Sequence, residues 1–138
     1  MRILALLLAG AFVATVGNAQ ERWRQLPGAA GAFAVELQSI AVEGGVLQAR
    51  VRTPDRGTLV LVEELEIRCT GEQLRTIAKH QYDNDTGRPV PATGPDDRQD
   101  NAPWVAYAPG SEGYALVSSL CRLARDRNLF GSAEHSRA

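Results

Sequence analysis

The sequence predicts an α+β domain in which an antiparallel β-sheet of about five to six strands carries a C-terminal α-helix on one face. Three observations support this fold class. Apolar and polar residues alternate with the period of two that is typical of strands over several stretches between Ala32 and Tyr82. An apolar pattern with helical spacing follows from Glu112 to about Ala124. The two cysteines, Cys69 and Cys121, lie in one strand and in that helix, so a disulfide would join the helix to the sheet.

The N-terminal residues 1–19 predict a secretory signal peptide. Arg2 gives a positive start, Ile3 to Val16 is an apolar run, and Gly17-Asn18-Ala19 supplies the small residues that a signal peptidase recognises. The alternative is a transmembrane helix, which needs about 20 apolar residues, and the run is shorter than that. We therefore expect cleavage after Ala19 and a periplasmic or secreted mature protein without a membrane anchor.

The mature chain is long enough for one domain, which we place at residues 20–127, followed by a flexible tail at 128–138. Removal of Arg2 with the signal peptide lowers the 15 basic residues to 14 against 16 acidic residues, so the mature net charge is −2. A nucleic-acid-binding protein needs a concentrated basic surface to neutralise phosphates. The charge therefore argues against a nucleic-acid partner.

The strand pattern begins with a predicted hairpin. Ala32 to Ile40 alternates as a first strand, Glu43-Gly44-Gly45 forms the turn, and the alternation resumes from Leu47 to Arg52. The turn glycines can adopt the positive φ values that a tight hairpin requires. The segment from Glu21 to Gly31, which contains Trp23, is expected to be a lead-in without regular structure.

Two longer strands follow a turn at Thr53 to Gly57. Leu59 to Cys69 is predicted as one strand with a bulge near Glu63-Glu64, and Gln73 to Tyr82 as the next. The first of these strands alternates apolar and charged residues at its end. Cys69 falls in the apolar set and should point into the core.

The C-terminal half begins with a turn at Asp83 to Gly87, where short polar side chains can bond their own backbone. Arg88 to Pro103 is rich in proline and aspartate, which predicts a mobile surface loop. A short strand over Trp104, Val105 and Tyr107 should return the chain to the core. Ser111 is the expected N-cap of the helix, and Glu112 suits its positive end.

A series of short segments distributed over most of the mature chain occurs together in one known family. The segments are Trp23, Ser39-Ile40, Glu66-Ile67-Arg68-Cys69, Arg75, Tyr82-Asp83, Trp104, Tyr107-Ala108-Pro109-Gly110-Ser111 and Leu120-Cys121. In this order they resemble the surface-adhesin protein E family of small exported bacterial proteins. The late tryptophan, the Pro-Gly-Ser helix start and the second cysteine are together the most specific part.

The resemblance implies an antiparallel sheet with a disulfide-joined C-terminal helix, and cell adhesion through binding of host extracellular-matrix and plasma proteins. The family's lipid anchor does not carry over, because Gln20 and not a cysteine comes directly after the predicted cleavage site. We expect an exported, non-enzymatic binding protein whose partners are extracellular or envelope proteins. The alternative is a soluble periplasmic module that binds a small ligand or inhibits an envelope enzyme.

The sequence lacks the familiar catalytic patterns: it has no Cys-x-x-Cys, no His-Glu-x-x-His and no Gly-x-Ser-x-Gly. We therefore assign no catalytic residue, cofactor or metal. His80 could be a general base or a ligand, but a hydrogen-bonded histidine in the core or at a sheet edge fits better, because no nucleophile or second ligand lies at a spacing that would indicate a site. The carboxylate and amide oxygens of the turn and loop could suggest calcium, but their residues lack EF-hand spacing, and a solvated turn and loop is favoured. The residues are Asp83, Asn84, Asp85, Asp96, Asp97 and Asp100.

Four arginines, together with a tryptophan, form the candidate protein-binding site. Arg50, Arg52, Arg68 and Arg75 could share one sheet face and bind an acidic partner. The alternative is cross-strand pairing with Glu64 and Glu66, which should lie on that same face. Trp104, like Trp23, could be a binding anchor, or it could pack over an edge of the sheet.

Overall fold

The computed structural model describes residues 21–54, 59–91 and 98–131. Four predicted features therefore lie outside the described residues in whole or in part. They are the signal peptide with its cleavage site, the turn around 55–57, residues 92–97 of the predicted loop, and the tail from residue 132, which includes His135.

The described residues form one antiparallel sheet of seven strands and one long helix, which confirms the predicted fold class. The strands are β1 (Trp23–Gln25), β2 (Ala34–Glu36), β3 (Ala41–Glu43), β4 (Val46–Pro54), β5 (Leu59–Arg68), β6 (Gln73–Asp83) and β7 (Val105–Ala106). Their order is β1-β2-β4-β5-β6-β7, and β3 pairs with β4 beyond the end of β2. The helix is α1 (Glu112–Asp126).

The predicted first strand, Ala32 to Ile40, is wrong as one element. β2 ends at Glu36, a 3₁₀ helix covers Leu37–Ser39, and β3 begins at Ala41. The Ser39 hydroxyl donates to the Glu36 carbonyl at 2.7 Å and accepts the Arg50 backbone N–H at 2.8 Å. A side chain thus takes the place of a backbone acceptor in the hydrogen bonding to β4. The strand then resumes against a different part of β4.

The lead-in around Trp23 was also predicted wrongly, since it contributes strand β1. Trp23 lies opposite Glu36, and Arg24 lies opposite Val35. The predicted hairpin turn between β3 and β4 is confirmed: Gly44 and Gly45 have φ values of 57° and 76°, which favour glycine.

The two long central strands are confirmed as β5 and β6. Their register shifts between Glu64 and Leu65, close to the predicted position, but the bulge lies in β6 and not, as predicted, in β5. The extra residue is Ile77 in β6, because Glu64 pairs with Ala78 and Leu65 with Thr76.

The described ends of the predicted loop Arg88 to Pro103 run along the edge of β6. The Val90 amide donates to the Gln81 carbonyl at 2.9 Å, and the Gln99 amide donates to the Ile77 carbonyl at 2.7 Å. β7 then pairs with the beginning of β6, with Val105 opposite Leu74. Backbone bonds thus occupy much of this edge of the sheet.

The helix α1 packs on one face of the sheet through one apolar stripe. Its buried residues are Leu116, Val117, Leu120, Cys121 and Ala124. They pack with the buried side of the strands, where Val35, Leu47, Val51 and Ile67 are the most deeply buried residues. The predicted N-cap is confirmed, since the Ser111 hydroxyl accepts the Tyr114 amide at 3.2 Å.

A disulfide joins Cys69, just after β5, to Cys121 in the middle of α1, as predicted. The two Cα atoms are 5.8 Å apart, and 52 positions separate the cysteines in sequence. The bond therefore fixes the helix over the buried side of the central strands. Within the described residues, no helix has the length and apolar character needed to cross a membrane.

Removal of the disulfide should lower the free energy of unfolding. For a Cys69→Ala/Cys121→Ala variant we expect a loss of roughly 2–4 kcal/mol, because the unfolded chain gains freedom when a loop of this length opens. Urea denaturation of the oxidised protein and the variant measures the difference. The wild-type chain under a reducing agent is the matched control, and equal stability of its oxidised and reduced forms would contradict the expectation.

Candidate protein-binding face

The helix covers one face of the sheet, and no helix of the described residues covers the opposite face, which we call the open face. The register places Gln48 opposite Glu66, Arg50 opposite Glu64 and Arg52 opposite Val62. Directly opposed residues of paired strands point to the same side of a sheet. The intervening β4 residues, such as Ala49, are buried under the helix, so these opposed pairs lie on the open face.

The predicted arginines all lie on the open face. Arg50 and Arg52 come from β4, Arg68 from the end of β5, and Arg75 from β6 opposite Glu66. The predicted Trp104 lies beside them, with its ring centroid 4.0 Å from the Arg68 guanidinium carbon and 4.6 Å from that of Arg75. The structure therefore brings the predicted residues together in two groups along one face.

Glu36 is a residue of the candidate site that sequence reasoning missed. Its side chain is only 11% exposed, and its two carboxylate oxygens accept from Arg22 Nε at 2.8 Å and from Arg50 Nη1 at 3.0 Å. These charge-assisted hydrogen bonds connect the segment before β1 with β2 and β4. The only sign of this residue in the sequence is a glutamate at a strand end. Which arginines contact this glutamate becomes clear only from the register of the strands.

Arg50 occupies the centre of this arrangement. Its Nη2 lies 3.5 Å from the Tyr82 hydroxyl, and its buried Nε has no hydrogen-bond partner among the described residues. Two of its nitrogens are thus directed towards β2 and β6. This side chain is held in place by neighbouring strands rather than extended into solvent.

The predicted cross-strand charge pairing holds for some of the residues. Arg75 bonds Glu66 through Nη2 at 2.6 Å and through Nε at 2.8 Å. Glu64 does not pair with Arg50, its neighbour in the register; it accepts from Arg98 Nη1 at 3.3 Å instead. Arg98 also bonds Asp100 at 3.0 Å.

His80 is an exposed residue of the open face, with 43% of its side chain accessible. Its nearest charged neighbour is Glu64, at 3.9 Å from Nε2, which is longer than a hydrogen bond. His80 is thus not in the core, and the hydrogen bond that was expected for a core or edge histidine is not found among the described residues.

Arg52 and Arg68 differ from the other arginines of the open face. Neither has a carboxylate within 4.0 Å among the described residues, and each lies against a tryptophan. The Arg52 guanidinium carbon is 4.9 Å from the Trp23 ring centroid. These distances are typical of cation–π contacts, and we call the two contacts the Arg52–Trp23 pair and the Arg68–Trp104 pair.

Two pockets open on this face. One, of about 310 Å³, is lined by Arg22, Trp23, Arg50, Arg52 and Tyr82 among others. The second, of about 260 Å³, adjoins it across Arg50 and includes Glu64, Glu66, Ile77 and Arg98. Their polar linings place guanidinium donors around concave surface, an arrangement that suits oxyanion groups.

The acidic turn after β6 is confirmed as a turn in which a side chain bonds nearby backbone. Asp83 Oδ1 accepts the amides of Thr86 at 2.9 Å and Asp85 at 2.8 Å, and these bonds lower the pKa of Asp83. Within the described ranges, no group of three or more histidine, cysteine, aspartate or glutamate side chains could hold a metal ion. Asp96 and Asp97 lie outside those ranges.

Comparison with known proteins gives no match: no protein-family model, no curated protein and no solved structure is significantly similar to the chain. The resemblance to surface-adhesin protein E therefore stays a prediction.

Replacement of Glu36 should destabilise the fold more than replacement of Glu64. Glu36→Gln keeps the shape but removes the charge between two arginines, and we expect a loss of about 1–3 kcal/mol in the free energy of unfolding. Chemical denaturation measures it.

Glu64→Gln is the matched control, because Glu64 is 32% exposed and faces a well-solvated Arg98. We expect it to cost less than about 1 kcal/mol, as is typical of surface ion pairs. An equal loss in the two variants would show that Glu36 has no special structural role.

Proposed function

We propose that this chain is an exported, non-enzymatic binding protein that takes a protein partner on its open face, at or outside the cell envelope. One observation carries the proposal: the uncovered side of the sheet presents two tryptophan–arginine contacts and further arginines on regular strands. Tryptophan, tyrosine and arginine are the residue types that contribute most binding energy in protein interfaces.

The site is also largely pre-organised. Glu36 and Glu66 hold Arg22, Arg50 and Arg75, and the two tryptophans restrain Arg52 and Arg68. A partner would have fewer free side chains to immobilise, which reduces the entropic cost of binding. These features support recognition of a partner surface.

Two further observations support export and protein binding. A disulfide persists in oxidising compartments such as the periplasm and the cell exterior. The signal-like N terminus and the resemblance to surface-adhesin protein E point the same way. Membership in that family, and with it cell adhesion, is part of this proposal.

A photo-crosslinking amino acid at position 80 tests the proposal, since His80 is exposed on the open face. In cells that make the protein, we expect one discrete protein adduct, recovered from the cell surface, the periplasm or the medium. The same amino acid at Arg122, exposed on the outer side of α1, is the matched control. Absence of an adduct at position 80, or equal adducts at both positions, would contradict binding on the open face.

A soluble periplasmic module for a small ligand is the second candidate. The pocket of about 310 Å³ beside Trp23 and Tyr82 favours it, because the size suits a small molecule and the arginines suit an anion. If this second function is correct, the photo-crosslinking amino acid at position 80 would give no protein adduct. A bound compound would instead raise the Tm of the purified protein by mass action.

A further inference from the structure

Arg52 and Arg68, which have no carboxylate partner among the described residues, lie far apart along the open face. Arg52 lies opposite Val62 on β5, and Arg68 follows six positions later on the same strand. Even-numbered positions of β5 from Val62 to Arg68 point to one side, because side chains alternate along a strand. With a rise of 3.2–3.4 Å per residue, the two arginine positions are on the order of 20 Å apart.

The charges between these two positions largely cancel. Glu36 neutralises part of the Arg22 and Arg50 charge, Glu66 pairs with Arg75, and Glu64 and Asp100 pair with Arg98. This group thus contains six arginines and four carboxylates, so it has a surplus of two positive charges. Without Arg52 and Arg68, the group would be neutral overall. The residues concerned are Arg22, Arg50, Arg52, Arg68, Arg75, Arg98, Glu36, Glu64, Glu66 and Asp100.

Stacking on tryptophan leaves a guanidinium able to bind a carboxylate. The cation–π contact uses the flat face of the group, whereas its N–H donors point outward in the plane. Arg52 and Arg68 lie over the Trp23 and Trp104 rings and contact no carboxylate among the described residues, so their N–H donors can bind a carboxylate of a partner, whose two oxygens match the planar guanidinium.

We propose that the open face recognises an extended acidic segment of a partner protein, with one carboxylate on Arg52 and a second on Arg68. This inference rests on the proposed function and specifies its partner. An extended chain advances about 3.3 Å per residue, so two carboxylates about six positions apart span the distance. Residues separated by six also point to the same side of a strand.

The same face is poorly suited to a uniform polyanion. Glu36, Glu64 and Glu66 lie between the two Arg–Trp pairs and would repel the repeated charges of a nucleic acid or a sulfated polysaccharide. Apolar Val62 and Ile77 lie under this central part of the face. A peptide with acidic residues at its ends and uncharged residues between them fits this pattern better.

Synthetic peptides test the proposal directly. The probe is a soluble, β-forming peptide with two glutamates six positions apart and uncharged residues between them. One matched peptide has both glutamates replaced by glutamine, and another places the glutamates two positions apart. Titration calorimetry with the oxidised protein should show at least about tenfold tighter binding of the first peptide, weakening as salt is added.

Variants of the protein locate the contact. Arg52→Gln and Arg68→Gln should each lower the affinity for the first peptide about tenfold, whereas Arg122→Gln on the helix should leave it unchanged. Denaturation curves confirm that each variant is folded. Equal affinity for the three peptides, an unchanged affinity in both sheet variants, or tighter binding of heparin than of the first peptide would overturn the proposal.

The crosslinking experiment distinguishes this failure from failure of the proposed function. If the adduct at position 80 persists at full yield when Arg52 and Arg68 are both glutamine, protein binding stands and recognition of an acidic segment is overturned. If the adduct never forms, the proposed function itself is contradicted.

Discussion

The structure depends on the attachment of one helix to one face of the sheet. In β4 and in the second half of β5, apolar residues alternate with polar ones, so one face of the sheet is mainly apolar, and the Cys69–Cys121 bond fixes α1 over it. One helix has one apolar stripe, and it can cover only one face. The other face must therefore consist of side chains that water or a partner can satisfy.

The open face meets this requirement with paired charges rather than with isolated ones. Glu36 is the most buried of its carboxylates, and it holds arginines from two separate parts of the chain. The result is a rigid polar surface in which most charges are internally compensated. Among the described residues, Arg52 and Arg68 are the arginines of the open face that contact a tryptophan and no carboxylate, which is why these two positions, rather than the whole arginine set, define the proposed partner.

The predictable parts of the molecule were those with long periodic signals. β5, β6 and α1 each span ten residues or more, so alternation or helical spacing located them and put both cysteines in the core. β1 has three residues, which are too few to show an alternating pattern. The hydrogen bond of the Ser39 hydroxyl interrupts the segment that alternation alone predicted as one strand. Alternation likewise predicted that four arginines share one face. The partners of Arg50 and Arg52, however, belong to β2 and β1, so they can be identified only once the register of the strands is known.

Chemical labelling of arginines in unfractionated cell material is the most direct test of whether the open face is a binding surface. A dicarbonyl reagent modifies arginines that solvent reaches, and mass spectrometry can compare Arg68 with Arg122, both of which are exposed in the isolated chain. The account predicts that Arg68 is labelled less in unfractionated cell material than in the purified protein, while Arg122 is labelled equally in both. Equal labelling of Arg68 in the two samples would contradict it.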